Sequence, residues 1–132
     1  MPDLPTFIAP EANPETAYFW EQASVKKFNV KICTDCDQAH WYPRAHCPFC
    51  GSANTAWRES AGYGKIYSFS LVSPLKNPYV IAFVTLTDGP TLLTNIIAPN
   101  NLDIAIGQSV KIAFAPSEGG MSVPVFVLAA DL

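Results

Sequence analysis

Hydrophobic and polar residues alternate along most of the second half of the chain, which is the period of a β-strand with one buried face. Residues 78–87 form a nearly continuous apolar run that ends in an Asp-Gly pair, and residues 91–99 form the next run. An Asp-Gly pair between two such runs predicts a β-hairpin. Two further alternating runs, residues 109–116 and 122–130, predict two more strands.

A longer strand precedes this hairpin. Between Trp57 and Leu71, apolar side chains alternate with small or polar ones, and Gly62 and Gly64 lie where such a strand would bend. Five short antiparallel strands with a bent first strand favour a small closed barrel, because closure removes exposed strand edges. An OB-fold satisfies this pattern, and so do an SH3-like barrel and an open sandwich. We therefore predict a mainly β chain, with these three topologies still open.

Residues 14–26 follow a helical pattern instead. Asn13 can cap such a helix, Pro14 suits its first turn, and acidic residues precede basic ones as the helix dipole favours. The helix carries three consecutive rings, which pack either on the domain's own core or on another protein. Residues 1–13 are rich in proline and are expected to form an extended arm that wraps a neighbour. We predict that part of the helix surface binds a partner, through the rings of Tyr18, Phe19 and Trp20.

All four cysteines of the chain lie in one short stretch, CTDCDQAHWYPRAHCPFC. They form two C-x-x-C pairs ten residues apart, and two such pairs facing each other offer the tetrahedral sulfur set that Zn²⁺ accepts. Gly51 follows the second pair and Asp37 the first, and both tolerate the left-handed turn that this motif needs. Strands at residues 28–32 and 40–44 would complete a ribbon. We predict a structural zinc ion bound by the thiolates of Cys33, Cys36, Cys47 and Cys50.

Other uses of these cysteines are less well supported. Iron takes the same four ligands in rubredoxin-like sites, so the choice between zinc and iron stays open. Disulfide bonds are disfavoured because nothing at the N-terminus resembles a secretory signal. A redox C-x-x-C pair would normally open a helix, and a catalytic zinc ion would need a coordination position that four thiolates leave closed. His40 and His46 could each replace a cysteine as a ligand, but four thiolates suffice.

The composition bears on the partners of the chain. Of the 132 residues, 49% are hydrophobic and only 14% are charged, which indicates surface that another protein covers. The net charge is -3 and the eight basic residues are scattered, which argues against binding of nucleic acid. No apolar run approaches the about 18 residues that a membrane helix needs, so we expect a soluble, cytoplasmic protein.

In combination these motifs resemble the family of OB-fold proteins with a rubredoxin-like zinc ribbon, long classed as domain of unknown function 35. The resemblance covers residues 15–128. The chain departs from the family pattern at Ala61, which is inserted into the usual S-G-x-G, and at Asp37, where glycine is common. The motifs that carry the resemblance include Phe19-Trp20, both C-x-x-C pairs, Trp41-Tyr42-Pro43-Arg44, Ser60 to Gly64, Pro78-Tyr79, Ile106-Gly107 and Pro124-x-Phe126.

The resemblance implies a fold in three parts: an arm and helix at residues 1–28, a rubredoxin-like zinc ribbon at 29–53 and a five-stranded OB-fold barrel at 54–132. It also implies a non-catalytic accessory subunit that binds and organises a thiolase-superfamily enzyme, namely a thiolase, an acyltransferase or a side-chain aldolase. Such enzymes make or break carbon-carbon bonds in acyl-CoA thioesters, and the catalytic residues belong to the partner. A hetero-oligomer such as a heterotetramer is expected, in which this chain helps shape the acyl-CoA channel.

The residue chemistry agrees with an accessory role. No serine or carboxylate pair lies in a recognisable nucleophile or acid-base motif. If CoA contacts this chain, charge favours three cations as phosphate contacts, namely Lys31, Arg44 and Lys65. The alternative function is binding of single-stranded nucleic acid through rings on the barrel, namely Tyr63, Tyr67, Phe69 and Tyr79. A freestanding enzyme with an unrecognised site is a third hypothesis.

Overall fold

The computed structural model describes residues 4–74 and 76–129, and it confirms a mainly β fold with an N-terminal helix and a closed barrel. A membrane-spanning helix would have to be far longer and more apolar than any in this part of the chain. In chain order the elements are α1 (Ala17–Ala23), β1 (Asn29–Cys33), β2 (Ala39–His40), β3 (Thr55–Glu59), β4 (Tyr63–Val72), β5 (Tyr79–Leu86), β6 (Thr91–Ile97), a 3-10 turn (Asn101–Asp103), β7 (Ser109–Ala115) and β8 (Val123–Leu128).

Five strands close into the barrel in the order β4-β5-β6-β8-β7. Neighbouring strands run antiparallel except β6 and β8, which pair in parallel, with Ile96 opposite Phe126. The strands β4 and β7 complete the cylinder through residues Tyr63 to Lys65. Of the three topologies that the sequence left open, this strand order is that of the OB-fold, a five-stranded Greek-key barrel.

The first barrel strand is bent, as the sequence predicts. Gly62 has a φ of +79°, a left-handed conformation that glycine adopts at little cost. A Cβ atom at Gly64 would lie 2.7 Å from the Thr85 carbonyl oxygen, so glycine lets β4 approach β5 closely. Farther along β4, its register with β5 shifts between Ile66 and Ser68, which marks a β-bulge. The two glycines and the bulge together give β4 the curvature that a small barrel requires.

A second sheet, in the order β2-β1-β3, forms the ribbon. The strand β3 pairs with the whole of β1, from Asn29 opposite Glu59 to Cys33 opposite Thr55. The predicted boundary between residues 53 and 54 assigned β3 to the barrel, whereas its pairing joins it to the ribbon. The ribbon therefore runs through β3 directly into the bent start of the barrel.

The second strand of the ribbon is shorter than predicted. The sequence suggested residues 40–44, but β2 covers Ala39–His40 alone. The Trp41 ring packs against the rings of Phe19 and Phe28, at centroid distances of 4.9 and 5.8 Å. The half-buried Trp41 ring thus packs against the core cluster, directly after the strand ends at His40.

Helix α1 covers the middle of the predicted helix at residues 14–26. The Asn13 side chain accepts hydrogen bonds from the N–H groups of Glu15 and Thr16, so it caps the turn that leads into the helix. Past the end of the helix, Lys26 has a left-handed φ of 64°, a conformation that stops helical hydrogen bonding. A helix of seven residues is unstable by itself in water, so its packing on the two sheets must hold it.

The hydrophobic core is continuous from the helix to the interior of the barrel. Phe19 on α1 is 3% exposed, and Phe126 on β8 is fully buried. The ring of Phe28 lies between them, 5.7 Å from the Phe19 ring and 6.3 Å from the Phe126 ring. Both pairs have edge-to-face geometry, which adds a favourable electrostatic contact to the burial of apolar area.

The N-terminal arm packs on the outside of the barrel. Phe7 forms an isolated β-bridge with Ser117, just after β7. Leu4 and Phe7 also pack on a small apolar cluster formed by β7 and β8. The described part of the arm therefore covers this chain's own barrel, where the sequence suggested that it would wrap a neighbour.

Candidate functional site

The four cysteine side chains converge between two loops of the ribbon. Their sulfur atoms all lie within 4.8 Å of one another. The Sγ atom of Cys33 is 3.6 Å from that of Cys50, and the Sγ atom of Cys36 is 3.7 Å from that of Cys47. Sulfur atoms at about 2.3 Å from a zinc ion would be about 3.8 Å apart in a regular tetrahedron. The donor set and its spacing therefore fit a four-coordinate metal ion.

Each C-x-x-C pair forms a tight turn of the kind known as a zinc knuckle. The Cys33 carbonyl accepts a hydrogen bond from the Asp37 N–H group, and the Cys47 carbonyl accepts one from Gly51, both at 2.9 Å. Asp37 and Gly51 have left-handed φ angles of 61° and 79°. The sequence predicted this conformation at both positions, and aspartate tolerates it in place of the glycine that the family usually has.

Backbone N–H groups point at the sulfur atoms and change their acidity. Burial raises the pKa of the Cys47 thiol, but the N–H groups of Cys50 and Phe49 outweigh it and lower the pKa to about 7. At Cys36 the Gln38 N–H group lowers the pKa, whereas burial and the neighbouring thiols raise it to about 12. At these distances the protonation of each thiol depends on the protonation of its neighbours. A bound cation removes this dependence because it holds all four sulfur atoms as thiolates.

A carboxylate holds the two knuckles in position. Asp35 lies in the first knuckle and accepts hydrogen bonds from the Ser52 hydroxyl and from Asn54 Nδ2, just after the second. The Ser52 hydrogen bond, and then that of Asn54, lower the pKa of Asp35. The N–H group of Thr34 also donates to the Asn54 carbonyl at 2.9 Å. Polar contacts thus support the loop arrangement in addition to the metal ligands.

The three predicted phosphate contacts lie in two separate places. The Nη1 atom of Arg44 is 3.7 Å from Oε1 of Glu15, so this guanidinium group already has an acidic partner. Burial lowers the pKa of Lys31, and the charge of the same Glu15 opposes this effect. Lys65 is exposed on the wall of the barrel, in β4. The structure therefore brings Lys31 and Arg44 to a common neighbour and leaves Lys65 in another sheet.

His40 is a buried polar side chain beside this cationic pair. It is 3% exposed, and among the described residues neither ring nitrogen has a hydrogen-bond partner. Burial lowers the pKa of His40, the charge of Lys31 lowers it further, and the backbone of Arg44 opposes these effects only in part. The side chain is therefore neutral at neutral pH.

We expect the folded protein to lose stability as the pH falls below 6.5, the ordinary pKa of histidine. The unfolded chain then binds a proton at His40, whereas the folded chain, with its lowered pKa, does not. Protonation therefore favours unfolding, and the effect vanishes above the ordinary pKa. Urea titrations of the wild type and His40→Gln at several pH values, with the metal content checked at each, measure this loss. The variant should show a flatter decline, and equal slopes would show that His40 is not responsible.

The three aromatic residues predicted to bind a partner have different surroundings. Phe19 belongs to the core, so its ring is not presented to another protein. Tyr18 is 40% exposed, and its ring centroid lies 5.3 Å from that of Trp57. Trp20 is half-buried and lines a groove of about 510 Å³ between the helix and the barrel. A partner surface on the helix therefore rests on Tyr18 and Trp20 and stays a prediction.

The barrel exposes a set of apolar side chains, of which the sequence analysis singled out only Tyr79, as a candidate base-stacking ring. They face outward from β5 and β6, and Phe83 lies directly opposite Leu93. A signal was present in the sequence, because residues 77–102 contain a single charged residue, Asp88. The set, named the β5–β6 face here, consists of Tyr79, Ile81, Phe83 and Leu93.

Two family models match adjoining parts of the chain. Residues 20–56 match the rubredoxin-like zinc ribbon domain of ChsH2, and residues 57–115 match the C-terminal OB-fold domain of ChsH2. The first match contains all four cysteines. Since that domain is a zinc ribbon and the four sulfur atoms are placed around one position, the expected structural zinc site is supported by both the family and the geometry.

Two similar proteins are covered only in part by the present chain. It is 32% identical over 124 residues to a probable enoyl-CoA hydratase alpha subunit of Thermomonospora curvata, a match that covers 89% of this chain and 38% of that protein. It is 30% identical over 90 residues to a DUF35 domain-containing scaffold protein of Methanocaldococcus jannaschii, which covers 62% of this chain and 63% of that protein. The chain thus spans less than two thirds of either relative.

Two solved structures have a similar fold. One is described as an Ltp2-ChsH2(DUF35) aldolase, with a TM-score of 0.81 and 31% sequence identity over 92% of this chain and 99% of that chain. The other is a DUF35 family protein of unknown function from Sulfolobus solfataricus, with a TM-score of 0.65 and 17% identity over 89% and 87% of the two chains. The second likeness concerns the fold alone. From its ribbon, its barrel and its 31% identity to a chain that it covers almost entirely, the chain belongs to the DUF35/ChsH2 family of zinc-ribbon and OB-fold proteins.

Proposed function

We propose that this chain is a non-catalytic accessory subunit that binds and organises a thiolase-superfamily enzyme acting on carbon-carbon bonds of acyl-CoA thioesters. The observation that carries the proposal is the likeness to the chain from the Ltp2-ChsH2 aldolase, at 31% identity and a TM-score of 0.81. Nearly the whole of that chain is covered, so the likeness is not restricted to one small motif. The scaffold protein of Methanocaldococcus jannaschii supports the same kind of role.

The chemistry of the described residues supports an accessory role. All four thiols converge on one metal position, and four thiolates leave no coordination position for a substrate or water. Of the two histidines, His40 is buried, and His46 is exposed in the loop before the second knuckle. Within residues 4–74 and 76–129 we find no nucleophile, base and orienting group placed together. Catalysis is therefore assigned to the partner.

The relative named as a hydratase subunit fits the same proposal. Its match with the present chain covers 38% of its length, so the larger part of that protein has no counterpart here. We assign the acyl-CoA chemistry of such assemblies to another domain or another chain. The ribbon and barrel then contribute binding surface, and they help shape the acyl-CoA channel.

Several finer features of the assembly are part of the proposal. A two-fold symmetric enzyme would give a heterotetramer with two copies of each chain, in the cytoplasm. Tyr18 and Trp20 remain candidate partner contacts. Contact with CoA phosphates is best supported at Lys31 and Arg44, which lie near one another, and is supported at Lys65 by charge alone.

Co-expression with a candidate thiolase-like or aldolase-like protein of the same organism tests the proposal. We expect affinity purification of either protein to recover both, and native mass spectrometry to give a mass with equal numbers of the two chains. Acyl-CoA carbon-carbon bond cleavage or formation should require both. The enzyme chain purified alone is the control. Turnover by the present chain alone, or recovery of each protein without the other, would overturn the accessory role.

A further inference from the structure

The β5–β6 face is an exposed apolar surface on the outside of the barrel. Its four side chains are 36% to 58% exposed although all belong to regular strands of the barrel. Burial alternates along β5, so that every second residue points into the barrel and the others point to solvent. The outward residues are nevertheless aromatic or aliphatic, where a strand facing water usually carries polar residues.

The hairpin formed by β4 and β5 extends this surface beyond the barrel. β4 pairs with β7 only at Tyr63 to Lys65, whereas its pairing with β5 continues to Val72. Phe69 and Leu71 are opposite inward-facing residues of β5, yet they are 37% and 44% exposed because the barrel does not cover them. A two-stranded hairpin with apolar side chains exposed on both faces is marginal in water. A further surface is needed to cover it.

Other parts of the chain do not supply this cover in the described structure. The arm residues Leu4 and Phe7 lie against β7 and β8. Ile81 borders a wide groove of about 1460 Å³ that arm residues 5–8 also line, and Phe83 and Leu93 border the smaller groove beside the helix. Apolar side chains therefore line the surface from Leu71 on the hairpin to Trp20 on helix α1.

The size and charge of this surface fit a specific protein interface. Six aromatic or aliphatic side chains with roughly half of their 150–250 Å² exposed offer about 500 Å². The side chains at the rims of the two grooves add to this exposed area. The total therefore approaches the about 800 Å² of surface that each partner buries in a stable complex. Residues 77–102 hold one charged residue, Asp88, and scarcity of charge is typical of the centre of an interface.

We propose that the β5–β6 face, together with the exposed hairpin, is the docking surface for the partner enzyme, and that the partner presents an apolar cleft without charged groups. This inference rests on the proposed function, and it specifies which side of the barrel the enzyme contacts. Both described grooves border the face itself, so neither of them can also accept the hairpin. The cleft that accepts the hairpin therefore belongs to a different protein. Arm residues 5–8 border the wide groove at one side of this face, and they leave Phe83 and Leu93 exposed.

Charged substitutions on the face test the proposal. Phe83→Asp and Leu93→Asp each place a carboxylate at the centre of the face, at positions that point to solvent in the free chain. In titrations of the co-expressed enzyme chain, we expect each to raise the Kd by about 30-fold or more. Ile106→Asp is the matched control, because Ile106 is 69% exposed and its side chain lines neither groove. It should change the Kd by less than about 3-fold.

The alternative outcomes are separable. Circular dichroism and metal content establish that each variant is folded before its Kd is measured. Wild-type affinity in both face variants would overturn the docking surface and leave the accessory role intact. A purified wild-type chain that is dimeric, with monomeric face variants, would assign the face to a second copy and overturn the proposal. A wild-type chain that does not bind the enzyme would refute the proposed function and the docking surface with it.

Discussion

Replacing Cys33 with serine is expected to release the metal ion and unfold the ribbon. Cys33 is fully buried, and its sulfur atom lies 3.6 Å from that of Cys50. Structural zinc sites contribute about 10–16 kcal/mol of apparent binding free energy, which is comparable to the whole stability of a small domain. A serine hydroxyl is a poor ligand for zinc, so most of this contribution is lost. Elemental analysis and thermal melting of the purified variant measure both consequences.

A change in the same loop that spares the ligands is the control for this experiment. Phe49 lies between Cys47 and Cys50, and it is 59% exposed. Phe49→Ser should keep the metal and melt within a few degrees of the wild type, because its backbone N–H group can still donate to the Cys47 sulfur atom. Elemental analysis of the wild type also decides between zinc and iron. A Cys33→Ser variant that kept one equivalent of metal and its melting temperature would contradict the site.

Replacing Phe126 with alanine is expected to cost about 3–5 kcal/mol of unfolding free energy. Phe126 is fully buried, and its strand pairs with β6 at Ile96 and with β7 at Ile112. Removal of the ring would leave a cavity between three strands, and it would also remove the contact with Phe28. Urea titration of the metal-loaded proteins measures the change, with an unaltered slope expected if both forms unfold in one step.

Phe83→Ala is the matched control for this second prediction. It removes the same ring from another barrel strand, β5, but Phe83 is 45% exposed. We expect a loss of about 1–2 kcal/mol, since the ring gives up only about half as much buried area and leaves no closed cavity. Equal losses in the two variants would show that the barrel core is not organised around Phe126. Phe83 also connects this experiment with the docking test. Its substitution should change the affinity for the partner enzyme far more than the free energy of unfolding.

The local parts of the fold and the metal ligands are predictable from the sequence. The ligands follow from the spacing of the cysteines alone, because a C-x-x-C pair sets its own turn through Asp37 or Gly51. The Asp-Gly hairpin and the bend at Gly62 are equally local. Each depends on a few consecutive residues whose backbone preferences are strong.

The partners of a strand are decided by distant contacts. The sequence of β3 alternates as a barrel strand would, and nothing in it specifies β1 as its neighbour. Three consecutive rings on a short helix point in three directions about 100° apart, so the direction that becomes core depends on where the sheets lie. Phe19 turns toward Phe28 and Trp41, while Tyr18 and Trp20 keep exposed surface.

The β5–β6 face shows a different limit of the sequence pattern. The run in β5 is apolar at nearly every position, which is typical of a strand buried on both faces. In the barrel such a strand has only one inner face, and the outer one is left to solvent. An apolar run of this kind therefore predicts that both faces of the strand are covered by protein. It does not specify whether the outer face is covered by the same chain or by another protein.

The row of rings from Phe19 through Phe28 to Phe126 means that the ribbon forms one end wall of the barrel interior. If the ribbon opens for lack of metal, this wall is withdrawn and the barrel core is left accessible to proteases. A cell short of the metal would then degrade the subunit before it could join an enzyme. Under the proposed function, the supply of one structural ion would in this way limit how many assemblies are made.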